Sequence, residues 1–284
     1  FTYGPELPDE QGEDDKRSLV FDGEPLGEDK DILDAPVVSL HFSSDQPQAL
    51  LHVRLCDVFP DGRSALITHG FLNLTHHGSH EDPKPLAPDK VYEAHVVLDQ
   101  IAYQIPAGHR LRVAVSTSSW PSVWPSPKQA AIRLTKGGMC IFFRPLSAGN
   151  ECTFPEPEAA PVWRIENIRK AHSTRKTERK EDGTVVLTIF NDFGCDRDLE
   201  HGLETGSWTE EVWSIHPDDP LSAKATIRWE QTSRRGDWSV RTETMSEMTS
   251  DLTHFHVNGS VRAFEGNAVV HERGYSDHIA RNLI

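Results

Sequence analysis

A serine hydroxyl on a sharp strand-to-helix turn is the nucleophile of a large class of hydrolases, so serine is the first residue type to test. The turn needs the pattern G-x-S-x-G, whose small flanking residues let the backbone bend and expose the hydroxyl beside oxyanion donors. The nearest stretch is Gly62-Arg63-Ser64-Ala65-Leu66, which lacks the closing glycine. It follows a Pro60-Asp61-Gly62 turn and opens a β-type run, where the motif needs a helix. Ser64 is therefore read as a strand residue, and no catalytic residue is assigned.

Imidazoles come next, since the chain has 15 histidines. His69, His76, His77 and His80 gather around one loop, a spacing that can hold a metal in a cupin-like jelly roll. Around that loop no H-x-H with a later Glu and His completes such a site, and His95 and His109 add no pattern. His254 and His256 share a strand face with no evident carboxylate or thiol partner. All are read as solvated, and no metal is expected. Cys56, Cys140, Cys152 and Cys195 form no C-x-x-C pair and are read as buried free thiols, one disulfide being left open. Asp218-Asp219 and Glu210-Glu211 are taken as solvating carboxylates rather than a glycosidase pair. No phosphate-cradling glycine pattern occurs, so no cofactor is expected. Trp120 and Trp124, set among prolines and serines, are the candidate ligand-binding or cleft-lining residues. Paired indoles stack on sugar rings or line pockets, and they also pack against the end of a sandwich; both readings stand.

These residues sit on short β-rich runs. Leu51, Val53 and Leu55 alternate with His52, Arg54 and Cys56, the period of a half-buried strand. Further runs are expected over 36–42, 64–73, 92–98 and 111–115, with Gly137-Gly138 as a turn between two more. After the Pro-rich acidic stretch 152–161 come longer runs over 184–190, 224–232, 238–248, 253–264 and 268–275, with tight turns at Arg235-Gly236-Asp237 and Glu265-Gly266-Asn267. The fold class is all-β: a jelly-roll, galactose-binding-like β-sandwich followed by an antiparallel β-meander. Residues 1–34 are expected as an extended lead-in, 35–150 as the sandwich and 151–284 as the β-rich extension, whether separate or continuous with it.

Composition narrows the partners. A net charge of −15 disfavours nucleic acid and anionic membranes, and no apolar run is long enough to span a bilayer. The chain begins at Phe1 rather than Met, so further sequence is expected upstream.

Three ordered segments resemble one hydrolase family. Leu51 to Ser64 is similar to its "v-R-L-x-D-V-x-P-D-G-x-S" segment, Gly70 to Leu74 to the strand that follows, and Gly108 to Pro121 to its "G-H-R-L-R" segment. Ser18 to Leu26 and Asp31 to Leu33 fit the approach to the same domain. The family is that of X-prolyl dipeptidyl peptidases and cocaine esterase, with α-amino acid ester hydrolases and glutaryl acylases, and the resemblance is to its C-terminal jelly roll. It implies an upstream α/β-hydrolase domain of the same polypeptide carrying the Ser-Asp-His triad, with this chain walling the cleft and inactive alone. The whole would be a dipeptidyl-peptidase or esterase, with a cytoplasmic location and a homo-oligomer allowed. A stand-alone carbohydrate-binding module is the alternative. Asp57, Asp61 and Gly62 are expected to shape a turn, and Arg54 and Arg110 to pair with carboxylates.

Overall fold

The computed structural model describes residues 9–143 and 154–284. The chain divides into two units, Phe1–Cys152 with Leu283–Ile284, and Thr153–Asn282. The first carries one helical turn, α1 (Gly12–Asp15), and strands β1 (Leu19–Asp22), β2 (Lys30–Asp34), β3 (Val37–Ser44), β4 (Leu50–Val58), β5 (Ser64–Asn73), β6 (Tyr92–Val97), β7 (Ile101–Ile105), β8 (Arg110–Ser116) and β9 (Ile132–Cys140). They form a sheet of order β1-β8-β4-β5, a second of order β6-β3-β9, and the pair β2-β7.

Alternation fixes which side of each strand is dry. Along β3, Val38, Leu40 and Phe42 are buried while Val37, Ser39 and His41 are partly exposed. Their side chains meet Leu51, Val53 and Leu55 of β4, Ala94 and Val96 of β6, and Val115 of β8 in one core. Burying each of the larger ones contributes about 1.5–3 kcal/mol, enough to hold the two sheets face to face. The unit is an all-β sandwich of antiparallel strands, as the sequence pattern predicts.

β4 departs from simple alternation. Arg54 and Cys56, on the face expected to be wet, are buried. The reason lies in residues 9–34, which are more than a lead-in: they supply α1, β1 and β2. Gln11 N–H donates to the Ser64 carbonyl at 2.8 Å and Leu66 N–H to that of Asp9 at 2.9 Å, laying this segment over the outer face. The turn at Pro60-Asp61-Gly62 forms as expected. Gly62 has φ +92°, a conformation that glycine adopts without strain, and its N–H reaches the Phe59 carbonyl at 2.9 Å. Gly137-Gly138 is no turn, because β9 runs through it. A Cβ at Gly137 would lie 2.9 Å from Leu40 Cδ2, so the glycine permits close packing on β3.

The second unit is one antiparallel sheet. Its strands are β10 (Ile165–Arg169), β11 (His172–Arg179), β12 (Val185–Asp198), β13 (Glu204–His216), β14 (Asp219–Arg235), β15 (Trp238–Ser250), β16 (His254–Glu265) and β17 (Ala268–Ala280). β12 to β17 pair in sequence order, and β10 and β11 both pair with β12. Two-residue loops at Gly236 and Gly266 make the expected hairpins, with Arg235 facing Trp238 and Glu265 facing Ala268. Leu187, Trp213, Ala225, Met248 and Val257 form one cross-strand row. On the opposite face run Glu230, Glu243, Arg262 and Glu272.

Candidate functional site

The turn after β4 and the approach to β8 lie at the same end of the sandwich, since Val58 faces both Ser64 and Arg110. There Asp57, almost fully buried, receives a hydrogen bond from Tyr103 Oη at 3.0 Å. Its other oxygen lies 2.8 Å from His109 Nδ1, within hydrogen-bonding distance. Burial, then the Asp57 carboxylate, push the Tyr103 hydroxyl up to about 12. The His109 ring packs on Phe59 at 4.4 Å, and the Arg63 guanidinium covers the Phe59 ring at 3.7 Å.

An imidazole oriented by a buried carboxylate is two thirds of a hydrolase triad. The nucleophile is missing: among the described residues no hydroxyl or thiol hydrogen-bonds to the second ring nitrogen of His109. Ser64 is fully buried beneath the segment over β4. Cys56 is buried too, and desolvation raises its thiol to about 11, so no thiolate forms there near neutral pH. The dyad thus acts as a tie between two segments that lie 52 residues apart. Sequence reasoning placed Asp57 in a turn and missed its partner. The signal was available: Asp57 continues the inward series Leu51, Val53, Leu55, and an inward carboxylate needs a donor.

A second buried network holds the outer face. Arg54 Nη2 lies 3.0 Å from Asp15 Oδ1, both side chains being 5% exposed, and Nη1 donates to Gln11 Oε1 at 2.6 Å. Arg112 reaches Asp15 at 3.0 Å and grips Asp22 with two parallel bonds of 2.6 and 2.8 Å. The second pairing arginine is therefore Arg112 rather than the expected Arg110, which adds only its field at Asp22. Hydrogen bonding to Arg112 holds the Asp22 carboxyl below its ordinary range.

Trp120 and Trp124 follow β8, at the opposite end from the dyad. They are half-buried and meet edge to face, with ring centroids 5.1 Å apart. His52 pairs with Ser116 at that end of the sheet. Its Nε2 lies 3.2 Å from His69 Nδ1, and its ring stacks on Phe71 at 4.4 Å. Burial, with the charges of His69 and Arg54 added, drives His52 down to about 3, and burial lowers His69 as well. The His52 ring is neutral at pH 7.

The remaining histidines do not assemble a site. His76 and His80 approach to 5.5 Å, while His77 packs on Tyr92. No group of three or more side chains suited to a metal occurs among the described residues. His256, expected to have no carboxylate partner, contacts Asp251 at 2.9 Å and His278 at 2.7 Å. Asp251 lies in the turn before β16, five residues from His256, which the face-sharing pattern did not reveal. Glu210 and Glu211 fall on opposite faces of β13, the latter buried and bonded to Trp213 Nε1 at 3.0 Å. A depression of about 280 Å³ on the second unit is lined by Trp208, Arg228, Glu243 and Arg262. Arg262 pairs with Glu243 at 3.4 Å and Arg228 with Glu210 at 3.6 Å. Cys56, Cys140 and Cys195 are free, but only Cys56 is buried as expected: Cys140, at the end of β9, is exposed and Cys195 partly so. Cys152, where the expected linker stretch to Pro161 begins, lies outside the described residues.

Fold and site together define a β-sandwich domain whose described residues hold polar ties and no assembled catalytic group. The family model for the X-Pro dipeptidyl-peptidase C-terminal non-catalytic domain matches residues 2–151, and the chain belongs to that family. Among solved structures it is similar to an aminopeptidase from the marine sediment archaeon Thaumarchaeota archaeon, at 24% identity and TM-score 0.47, over 50% of this chain and 30% of that one. An α-amino acid ester hydrolase gives 23% identity and TM-score 0.46, over 48% and 27%. A CocE/NonD family hydrolase from Staphylococcus aureus gives 16% identity and TM-score 0.34, over 38% and 24%. The chain spans less than a third of the length of these proteins. No curated protein matches it.

Proposed function

We propose that this chain is the C-terminal part of a longer serine hydrolase of the X-Pro dipeptidyl-peptidase or acyl-esterase type, where it packs on an upstream α/β-hydrolase domain and shapes its cleft. The carrying observation is the family match over residues 2–151, whose two most specific segments are tied together by Asp57 and His109. A dyad sealed against Phe59 and a serine buried beneath residues 9–18 support a structural role for groups that elsewhere do chemistry. Trp120 and Trp124 are the residues assigned to the cleft, because they keep part of their surface at the end away from the dyad. The net charge of −15 argues against nucleic acid or an anionic membrane as partner.

The test is turnover by the 284-residue chain alone, with p-nitrophenyl acetate and Ala-Pro-p-nitroanilide as substrates. The expected rate equals the buffer blank for both. Turnover that disappears in Ser64→Ala or His109→Gln would overturn the proposal.

A further inference from the structure

The two borders of the second unit's sheet are unlike. β11 carries Arg175, Lys176 and Arg179, and long cations on a border strand discourage pairing with another chain. β17, at the other border, has 13 residues with a single long cation, Arg273, and no lysine or proline, and every one is exposed. Val270, Tyr275 and Ile279 are each at least half exposed. Its outer row of peptide groups has no strand beyond it among the described residues.

The order of residues in β17 is self-complementary. When the strand is laid antiparallel on a second copy about a two-fold axis at Gly274, His271 faces Asp277, Glu272 faces Ser276 and Arg273 faces Tyr275. Each pair then occurs twice. The cation–aromatic pair already has this chemistry within one strand, where the Arg273 guanidinium lies 4.8 Å from the Tyr275 ring centre. Directly opposed residues keep the same parity, so each pair shares one face of the joined sheet. Gly274 fits the axis. Its own chain makes no demand for glycine, because its φ is not positive and a Cβ there would meet only the Gly259 carbonyl at 3.9 Å.

We infer that β17 is a self-association edge: two copies of this chain join antiparallel through it, with Gly274 on the two-fold axis, into one continuous sheet. The interface is isologous and closes at the dimer, because each copy uses up the edge it offers to the other. The bulge between Ala263 and Phe264, which turns Val269 out of step, ends the matched register beyond His271.

Sedimentation equilibrium of the whole chain reads the stoichiometry, and cysteine cross-linking reads the register. The wild-type chain is expected to dimerise. Asp277→Lys, which sets a cation against His271, weakens the dimer by about tenfold or more, and the double variant His271→Asp/Asp277→Lys restores it. With Cys140, Cys152 and Cys195 replaced by serine, Gly274→Cys forms a disulfide dimer under mild oxidation. Ser276→Cys does not, because its symmetry mate lies roughly 13 Å away. A wild-type chain that stays monomeric at every concentration overturns the inference. So does a dimer in which the Ser276→Cys variant cross-links as readily as the Gly274→Cys variant.

Discussion

His52 shows how far a neighbourhood moves one side chain. Packed on Phe71 and set against His69, it is held down to about 3, while in the unfolded chain it titrates near 6.5. The folded state therefore refuses a proton that the unfolded state takes up. The resulting stability is complete above pH 6.5 and is lost as the pH falls towards 3. Between pH 7 and pH 5 the loss from this residue is about 2 kcal/mol, and His69 acts in the same direction. Urea unfolding at the two pH values checks it: His52→Gln flattens the dependence, and an equal fall in variant and wild type would remove the explanation. Asp57 is tolerated in its buried place because Tyr103 Oη and His109 Nδ1 both stand within hydrogen-bonding distance of its carboxyl.

At the scale of elements, Gly70 decides how β5 meets β6. The sheets are joined there by Thr68 Oγ1, which donates to the Asp99 carbonyl at 2.9 Å, and by Asp99 N–H, which reaches the His69 carbonyl at 3.0 Å. A Cβ at Gly70 would stand 2.5 Å from the Val97 carbonyl oxygen and 3.2 Å from Leu98 Cα, so backbone rather than a flexible tip would have to yield. Gly70→Ala is expected to cost about 3 kcal/mol in urea unfolding. Gly138→Ala, with nothing within 4 Å of its added Cβ, serves as the control and should stay within about 0.5 kcal/mol. A comparable loss in both would show that glycine matters in these strands through propensity and not contact. The same pair of strands shows what a sequence conveys. Period-2 runs such as β3 and the turn at Gly62 were legible because their signals are local. α1, β1 and β2 were not, since Arg54 and Arg112 set the place of α1 and β1, and β7 that of β2, all far along the chain. β13 was missed because Gly206, Ser207 and the adjacent Glu210 and Glu211 look like loop until β12 and β14 flank them. The dyad needed two residues that no spacing rule connects.

For the whole molecule, two independent divisions agree. The family match ends at residue 151, and the first compact unit at Cys152. The main hydrophobic cluster, from Val38 to Val115, lies wholly on the first side, as do both buried polar ties. A chain ended at Cys152 therefore retains what holds the sandwich together. It loses the Leu283 carbonyl, which accepts bonds from Asn73 Nδ2 at 2.7 Å and Thr75 Oγ1 at 3.1 Å, worth about 1 kcal/mol each. The expectation is a single cooperative urea transition for the shortened chain, at a midpoint modestly below that of the first unit in the full chain. It should also be a monomer, because β17 is gone. A transition without cooperativity would show that the second unit completes the fold of the first, and that the family boundary at residue 151 is not a boundary of stability.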